Sequence, residues 1–369
     1  MHLSRIKLVH FKNYTDQELH LATRINGFVG QNGMGKTNLL DAIYYLCMGK
    51  SYFAVRDLHL VQHEQDFFRL EGDFEQEQEK TRRLVVKVAP RKKKELELNR
   101  VLYEKIADHV GVFPVVIVVP DDTQLIHEGS EERRRFLDNT LSQLDAVYLS
   151  SLLTYNNVLR QRNALLKQQH GRPVAENLLS VYDLQLLAPA QYIFNRRQAF
   201  ISDFLTPFQA AHGAICGGQE QVSLVYHSLL AEQDLGSLLQ QAREKDRLLE
   251  RTTVGIHRDE LVFKLGNHPL KRLGSQGQLK SFVVALKLAQ YRFLQAQKGI
   301  TPLLLLDDIF DKLDPQRVDQ LVRYLLTGDF GQVFISDTDS QRISRILQQA
   351  AVAAKLFLIA DGEATELEL

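Results

Sequence analysis

The sequence predicts an α/β protein that carries a phosphate-binding loop and an inserted helical lobe. Two apolar runs that are typical of buried parallel strands end in a glycine-rich loop and in a pair of aspartates. A long stretch with helical periodicity separates these two parts of the chain. The 369 residues, 44% of them apolar, are enough to build two domains with ample cores.

The glycine-rich loop reads Gly30-Gln-Asn-Gly-Met-Gly-Lys36-Thr37 and fits the pattern G-x-x-x-x-G-K-[ST]. A helix is predicted to follow from Lys36 to Met48, before Gly49. Such a loop points backbone N–H groups at phosphates, while its lysine adds charge and its threonine a Mg²⁺ ligand. We therefore predict that ATP and Mg²⁺ bind here. The predicted nucleotide contacts in this loop are Gly30, Asn32, Gly33, Gly35, Lys36, Thr37 and Asn38.

The second apolar run, Leu303-Leu-Leu-Leu, ends in Asp307 and Asp308. A buried carboxylate at a strand end is costly unless a cation compensates it, so we predict that Asp307 joins Thr37 as a Mg²⁺ ligand. Asp308 is placed to orient or deprotonate the attacking water. With Lys36, these two aspartates are the predicted catalytic residues. Two solvated aspartates at a strand end are the simpler alternative.

Two further motifs flank that strand. Leu273-Gly-Ser275-Gln-Gly277-Gln278 precedes a helix predicted over Leu279 to Leu294, with Ser275 as its N-cap. Phe310-Asp-Lys-Leu313-Asp314-Pro315 follows it. In this order and spacing the four motifs resemble those of ABC-type ATPases, with the first of these two as the signature motif and the second as the D-loop. The resemblance implies that Ser275, Gly277 and Gln278 contact the γ-phosphate bound by another subunit.

Other segments resemble one branch of that superfamily, the recombination and chromosome-maintenance ATPases related to SMC heads. They are the predicted N-terminal hairpin (Leu3 to Tyr14, then Glu18 to Leu21), Pro120 to Asp138, Leu159 to Lys167 and Gly255 to Leu261. The resemblance implies a head with a mixed β-sheet core, an antiparallel β subdomain and an inserted α-helical lobe. It also implies an ATP-dependent homodimer that binds double-stranded DNA and junctions beside single-stranded gaps. RecR, RecO and RecA are the implied partners.

Hydrolysis is expected to be slow. Transporter ATPases usually carry glutamate where this chain has Asp308, and a histidine on the strand that here reads Val333 to Thr338 without one. Two other classes remain open, a structural chromosome-organising head and a transporter nucleotide-binding subunit. The insertion is too short for long coiled-coil arms, and the N-terminal hairpin argues against a transporter.

The formal net charge of zero excludes a generally basic DNA-binding surface, so any DNA contact must be local. Residues 80–100 hold nine Lys or Arg against two Glu, on a predicted β-hairpin whose other face is buried, as the alternation of Leu84 and Val86 indicates. A solvated turn is the simpler interpretation of such a charge run, and the family resemblance favours DNA contact. The predicted DNA contacts are Arg82, Arg83, Lys92, Lys93 and Lys94.

The predicted organisation is an N-terminal ATPase part over residues 1–120, an inserted helical domain over 121–218 and a C-terminal ATPase part over 219–369. Ser130 is the predicted N-cap of the first inserted helix. Surface ion pairing and DNA or subunit contact are both open for five arginines of the insertion. They are Arg133, Arg134, Arg135, Arg160 and Arg162. His257-Arg258-Asp259 is either a structural salt bridge or a catalytic group.

Cys47 and Cys216 lack C-x-x-C spacing, which argues against a zinc site or a disulfide framework. The sequence has neither a charged-then-apolar leader at Met1 nor an apolar run long enough to cross a membrane. We expect a cytoplasmic protein without a membrane partner.

Overall fold

The computed structural model describes residues 1–54, 56–76, 81–167, 176–218, 220–273, 275–310, 313–350 and 352–368. The strands are β1 His2–Phe11, β2 Tyr14–His20, β3 Ile25–Val29, β4 Phe68–Glu75, β5 Arg82–Val88, β6 Glu95–Leu98, β7 Val101–Leu102, β8 Val115–Val118, β9 Val222–His227, β10 Glu260–Leu265, β11 His268–Pro269, β12 Leu303–Leu306, β13 Val333–Asp337, β14 Ala354–Ala360 and β15 Glu363–Leu367. The helices are α1 Lys36–Met48, α2 Gln124–His127, α3 Ser130–Leu144, α4 Ala146–Lys167, α5 Glu176–Cys216, α6 Leu235–Leu248, α7 Leu270–Leu273, α8 Gln276–Lys298, α9 Pro315–Thr327 and α10 Ser340–Gln349.

The chain divides into two compact units. Unit 1 comprises residues 1–122, 210–218 and 276–369 and contains two sheets. One is antiparallel, in the order β2-β1-β4-β5-β6-β7. The other has the order β15-β14-β3-β13-β12-β8 and is parallel except for β15. Helix α1 contacts strands of both sheets and is buried around most of its circumference, so the core of unit 1 surrounds the helix that follows the glycine-rich loop.

The parallel sheet explains how distant motifs meet. Strand β13 pairs with β3 on one side and β12 on the other, all three parallel. Their carboxyl ends therefore lie at one edge of the sheet, where α/β proteins bind ligands. The glycine-rich loop follows β3 and Asp307 follows β12, which brings residues from opposite ends of the chain to that edge.

Unit 2 comprises residues 123–209 and 219–275 and combines helices with the antiparallel sheet β11-β10-β9. Buried ion pairs hold it together. Arg162, which is 0% exposed, donates to Asp183 and Asp246 at 2.7 Å each. Arg197 donates to Asp138 at 2.9 Å and to Asp259 at 3.1 Å. Removing one partner from such a pair leaves a buried charge, which typically costs about 3 to 5 kcal/mol.

The division differs from the sequence-based boundaries in two segments. Residues 210–218, placed by sequence in the inserted helical domain, cluster with unit 1. Residues 219–275, placed by sequence in the C-terminal ATPase part, cluster with the helices of unit 2. Helix α5 continues through Pro189 and Pro207. The prediction that Ser130 caps α3 is wrong, because Gly129 occupies the N-cap position and Ser130 is the first helical residue.

Among the described residues, Cys47 and Cys216 are not joined in a disulfide. No helix in this part of the chain is long and apolar enough to span a bilayer.

Candidate nucleotide-binding site

The glycine-rich loop adopts a backbone that only glycines accept at three positions. Gly30, Gly33 and Gly35 have φ values of 153°, 83° and 115°. A Cβ at Gly30 would collide with the carbonyl oxygen of Ile359. A Cβ at Gly33 would meet nothing within 4 Å, so this part of the loop faces open space. The loop therefore packs against β14 at Gly30 and presents its middle, at Gly33, outward.

Helix α1 begins directly after the loop and offers an anion site. Its N-cap, Gly35, makes no side-chain cap, and the first turn holds no acidic residue. The N–H groups of that turn and the positive end of the helix dipole are thus available to a phosphate. Lys36 is 4% exposed, and its Nζ donates to the carbonyl oxygens of Gly30 at 2.8 Å and Gln31 at 3.1 Å. These two hydrogen bonds keep the ammonium group of Lys36 against the backbone at the start of the loop.

Thr37 and Asp307 meet as predicted. The Thr37 hydroxyl donates to Oδ2 of Asp307 at 2.7 Å, although 270 positions separate the two residues. Asp307 is 3% exposed, and burial raises the pKa of its carboxyl, against the hydrogen bonds from Ser336 and Thr37 and the charge of Lys36. A buried carboxylate beside a threonine hydroxyl is a set of hard oxygen donors, the kind that Mg²⁺ prefers. These residues fit a magnesium ion.

Ser336 supports both aspartates and escaped the sequence prediction. Its hydroxyl donates to Oδ1 of Asp307 at 2.6 Å and accepts from the backbone N–H of Asp308 at 3.1 Å. Asp308 has φ 43°, a left-handed conformation that few non-glycine residues adopt. Ser336 therefore stabilises a strained turn that sets the direction of the second carboxylate. Ser336 lies in the strand Val333–Asp337, which has no histidine where transporter ATPases carry one. Its contact with Asp307 arises because this strand pairs with β12, and the sequence alone does not give that pairing.

The turn between β1 and β2 braces the outer side of the loop. Asn13 donates to the Met34 carbonyl at 2.9 Å and accepts from Asn38 at 2.7 Å. The Tyr14 hydroxyl donates to the Gly35 carbonyl at 3.0 Å. Asn38, a predicted nucleotide contact, is thus half-buried against Asn13. In the sequence, Asn13 and Tyr14 stand out only as polar residues at the end of the first predicted strand. Their role follows from the packing of the hairpin against the loop.

The remaining nucleotide residues lie elsewhere on the chain. Asn32 is exposed on the loop. Ser275 is exposed immediately before α8, and Gly277 and Gln278 lie in its first turn. The side chain next to Gly277 is that of Arg317 in α9. The loop residues have other partners: Lys36 donates to the Gly30 carbonyl, and Thr37 donates to Asp307. Asp307 in turn accepts from Ser336 of β13. Asp311 and Lys312 of the D-loop-like segment lie outside the described residues.

The basic hairpin formed by β5 and β6 exists, but three of its five predicted DNA contacts have structural partners. Arg83 pairs with Glu71, and the guanidinium of Arg82 lies 4.8 Å from the centroid of Phe113. Lys94 donates to Asp57 at 2.6 Å, to the Tyr45 hydroxyl at 2.9 Å and to the Gly49 carbonyl at 2.7 Å.

Lys92 and Lys93 are exposed at the tip of the hairpin. The sequence did not distinguish these two from the others, because the acidic partners come from distant strands and loops.

The arginines of unit 2 divide in the same way. Arg133 pairs with Glu260 at 2.8 Å, and Arg135 with Glu132 at 3.0 Å. Arg134 donates to the backbone carbonyl of Asp259 at 2.8 Å. Arg160 is exposed, and the contacts it makes with described residues are to Asn156 and Asn157 of its own helix, at 3.4 Å each.

The salt-bridge interpretation of His257-Arg258-Asp259 agrees with the geometry, since the Asp259 carboxylate pairs with Arg197. Burial lowers the pKa of His257 to about 4, with smaller effects from Arg258 and Arg134, and its Nδ1 lies 2.7 Å from the Tyr155 hydroxyl. A neutral histidine fixed between two elements is a structural group.

Comparisons with known proteins identify the family of this chain. The family described as the RecF/RecN/SMC N terminal domain matches residues 2–357. The DNA replication and repair protein RecF of Flavobacterium johnsoniae is 45% identical, over 97% of this chain and 99% of its own length. RecF of Bacteroides fragilis (strain ATCC 25285) is 42% identical, over 100% of this chain and 99% of its own.

Solved structures confirm the predicted fold class. The structure of the recombination mediator protein RecF with ATP, in the RecFOR pathway, superposes with a TM-score of 0.89 at 26% identity, covering 100% of this chain and 98% of that one. The Smc head of Pyrococcus furiosus has a TM-score of 0.57 at 17% identity, covering 100% and 96%, and shows the shared head fold alone.

Proposed function

The chain belongs to the RecF/RecN/SMC N-terminal domain family, and from that premise we propose that it is an ATP-controlled DNA-binding protein of recombinational repair and replication-fork maintenance. The observation that carries this proposal is the hydrogen bond between Thr37 and Asp307, braced by Ser336. It joins the glycine-rich loop to the carboxylate of a distant strand, the arrangement that a magnesium nucleotide needs.

ATP would be held by chain elements with separate tasks. The loop glycines and the first turn of α1 would receive the phosphates, with Lys36 released from the loop carbonyls to pair with them. Thr37 and Asp307 would hold Mg²⁺, which supplies charge neutralisation on the phosphate oxygens when bound. Asp308, held by its backbone to Ser336, would orient the water that attacks the γ-phosphate. Aspartate reaches less far than glutamate, which supports slow hydrolysis.

Each active site would be shared between two protomers. The exposed Ser275, with Gly277 and Gln278, would contact the γ-phosphate on the partner's loop and add the dipole of α8. Two ATP molecules would then bridge two heads, so that dimerisation depends on nucleotide and hydrolysis releases the clamp.

Duplex DNA beside single-stranded gaps is the proposed target of the dimer, with RecR and RecO as partners in the loading of RecA. Support comes from the relatives, one of which is described as a recombination mediator of the RecFOR pathway. A chromosome-organising head is the second candidate, because the Smc heads share the fold. Helices α2 to α5 run between β8 and β9 as a short insertion, which favours the repair function.

Light scattering on the purified protein, with and without ATP and duplex DNA, tests the proposal. We expect the mass to double with ATP and to rise further with duplex. Lys36→Ala should stay at the monomer mass, while Lys245→Ala, an exposed lysine of α6, should behave as wild type. A wild-type mass that ignores both ligands would exclude the clamp.

A further inference from the structure

The side chain of Arg317 links the segment before α9 to the first turn of α8. Its Nε lies 3.3 Å from a carboxylate oxygen of Asp314, and its Nη1 donates to the Ser281 hydroxyl at 3.0 Å. Ser281 in turn donates to the Gly277 carbonyl at 2.8 Å. Asp314 is also the N-cap of α9, accepting from the backbone N–H of Arg317 at 2.9 Å. One guanidinium therefore joins two helix starts.

We propose that Arg317 is a positioning residue for the signature turn, defined as residues 275–278, and that it acts on the site of the partner protomer. This inference rests on the proposed function, because a turn that works in trans requires shared sites. Arg317 acts through Ser281 and Gly277, and it fixes the turn before the partner's phosphate arrives.

The contacts explain why an arginine is needed. A planar guanidinium can direct Nε at a carboxylate and Nη1 at a hydroxyl simultaneously, whereas a lysine ammonium is a single point charge. Gly277 leaves the room for this contact, since a Cβ there would lie 3.1 Å from Nη1 of Arg317. The glycine in the motif thus serves the close approach of the Arg317 side chain to α8.

The position of the Arg317 charge, beside the N-terminus of α8, favours binding of an anion there. The N-terminus of a long helix such as α8 carries the positive end of its dipole, so a cation beside it is unfavourable by itself. Asp314 compensates part of that charge. A phosphate from the partner would compensate the rest, and a pre-positioned turn would avoid the cost of ordering the turn at the moment of binding.

The inference predicts a defect confined to one face of the protomer. Arg317→Ala should bind ATP with unchanged affinity, because Lys36, Thr37 and Asp307 make their contacts elsewhere. Its ATP turnover should fall roughly tenfold or more, since small displacements of a catalytic group are costly. Arg317→Lys should recover part of the rate, and Ser281→Ala should reproduce the defect without removing a charge.

Mixing variants tests this face assignment. Arg317→Ala mixed with Lys36→Ala should hydrolyse ATP faster than the average of the two variants measured alone, because each mixed dimer has one complete site whose ATP joins the two heads. Arg317→Ala mixed with Ser275→Ala should not exceed the average of the two variants measured alone, since both defects lie on the same face. Mixing Lys36→Ala with Ser275→Ala is the control for shared sites.

The outcomes separate the two claims. If the control mixture recovers and the Arg317→Ala and Lys36→Ala mixture does not, Arg317 has no role in trans and only this inference fails. If the control mixture of Lys36→Ala and Ser275→Ala shows no ATP hydrolysis although the two variants associate, both the proposed function and this inference are wrong. Recovery of the Arg317→Ala and Ser275→Ala mixture would also overturn the assignment. Ser281→Ala, which removes only a hydroxyl, keeps the test valid if Arg317→Ala misfolds.

Discussion

At the scale of single residues, Asp307 is the residue whose proposed function lowers stability most clearly, because a carboxylate proposed as a metal ligand is buried there. Its carboxyl is buried between Thr37 and Ser336, and burial raises its pKa. Without a cation the folded protein holds this proton at a pH where the unfolded chain has lost it. The stability that depends on Asp307 therefore falls as pH rises from the ordinary aspartate pKa through the raised value.

We predict that Asp307→Asn stabilises the nucleotide-free protein by about 1 kcal/mol at neutral pH, because it removes a buried charge and keeps the shape. The gain should shrink as pH falls through the raised pKa. Chemical denaturation at several pH values measures it, and Mg-ATP should add stability to the wild type alone. If Asp307→Asn is less stable than wild type at every pH, or if Mg-ATP still stabilises it, Asp307 is not a ligand of the cation.

The residues that the sequence could identify are those whose pattern is local. Lys36 and Thr37 follow from the loop pattern, and Asp307 from its position after four leucines. Asn13 and Ser336 could not be found in this way, because their partners lie at least 20 positions away, across a hairpin and a parallel sheet. The packing that gives them a role is absent from any short motif.

At the scale of elements, the β5–β6 hairpin shows what charge patterning can and cannot predict. The alternation of Leu84 and Val86 gave the buried face correctly. Which charges are available was not predictable, because Glu71 and Asp57 neutralise Arg83 and Lys94 from other elements.

We predict that Lys92 and Lys93 contact DNA phosphates and that Lys94 stabilises the hairpin. Replacing both Lys92 and Lys93 by alanine should reduce the slope of log affinity against log salt concentration by about 2, near one unit per lost phosphate contact. Binding titrations on duplex DNA with ATP at several salt concentrations measure the slope.

Lys94→Ala should lower the free energy of unfolding and leave that slope unchanged, and Lys245→Ala should change neither. The assignment is wrong if the double variant keeps the wild-type slope.

At the scale of the whole molecule, the motif order predicted the head fold, and the comparisons confirm it. The extent of the insertion was harder to place. Strands β9 and β10 look like any half-buried strands in sequence, yet they group with the helices of unit 2 through Arg133 and Glu260, a pair separated by 127 positions. Such long-range pairings set unit boundaries, and periodicity within a window does not contain them.

The central claim is that one protomer supplies the loop and another the signature turn. ATP hydrolysis by an equal mixture of Lys36→Ala and Ser275→Ala, each inactive alone, tests it most directly. We predict that the mixture hydrolyses ATP well above the rate of either variant alone, since one site of each mixed dimer is intact. A mixture that stays inactive, although both variants are folded and associate, would contradict the account.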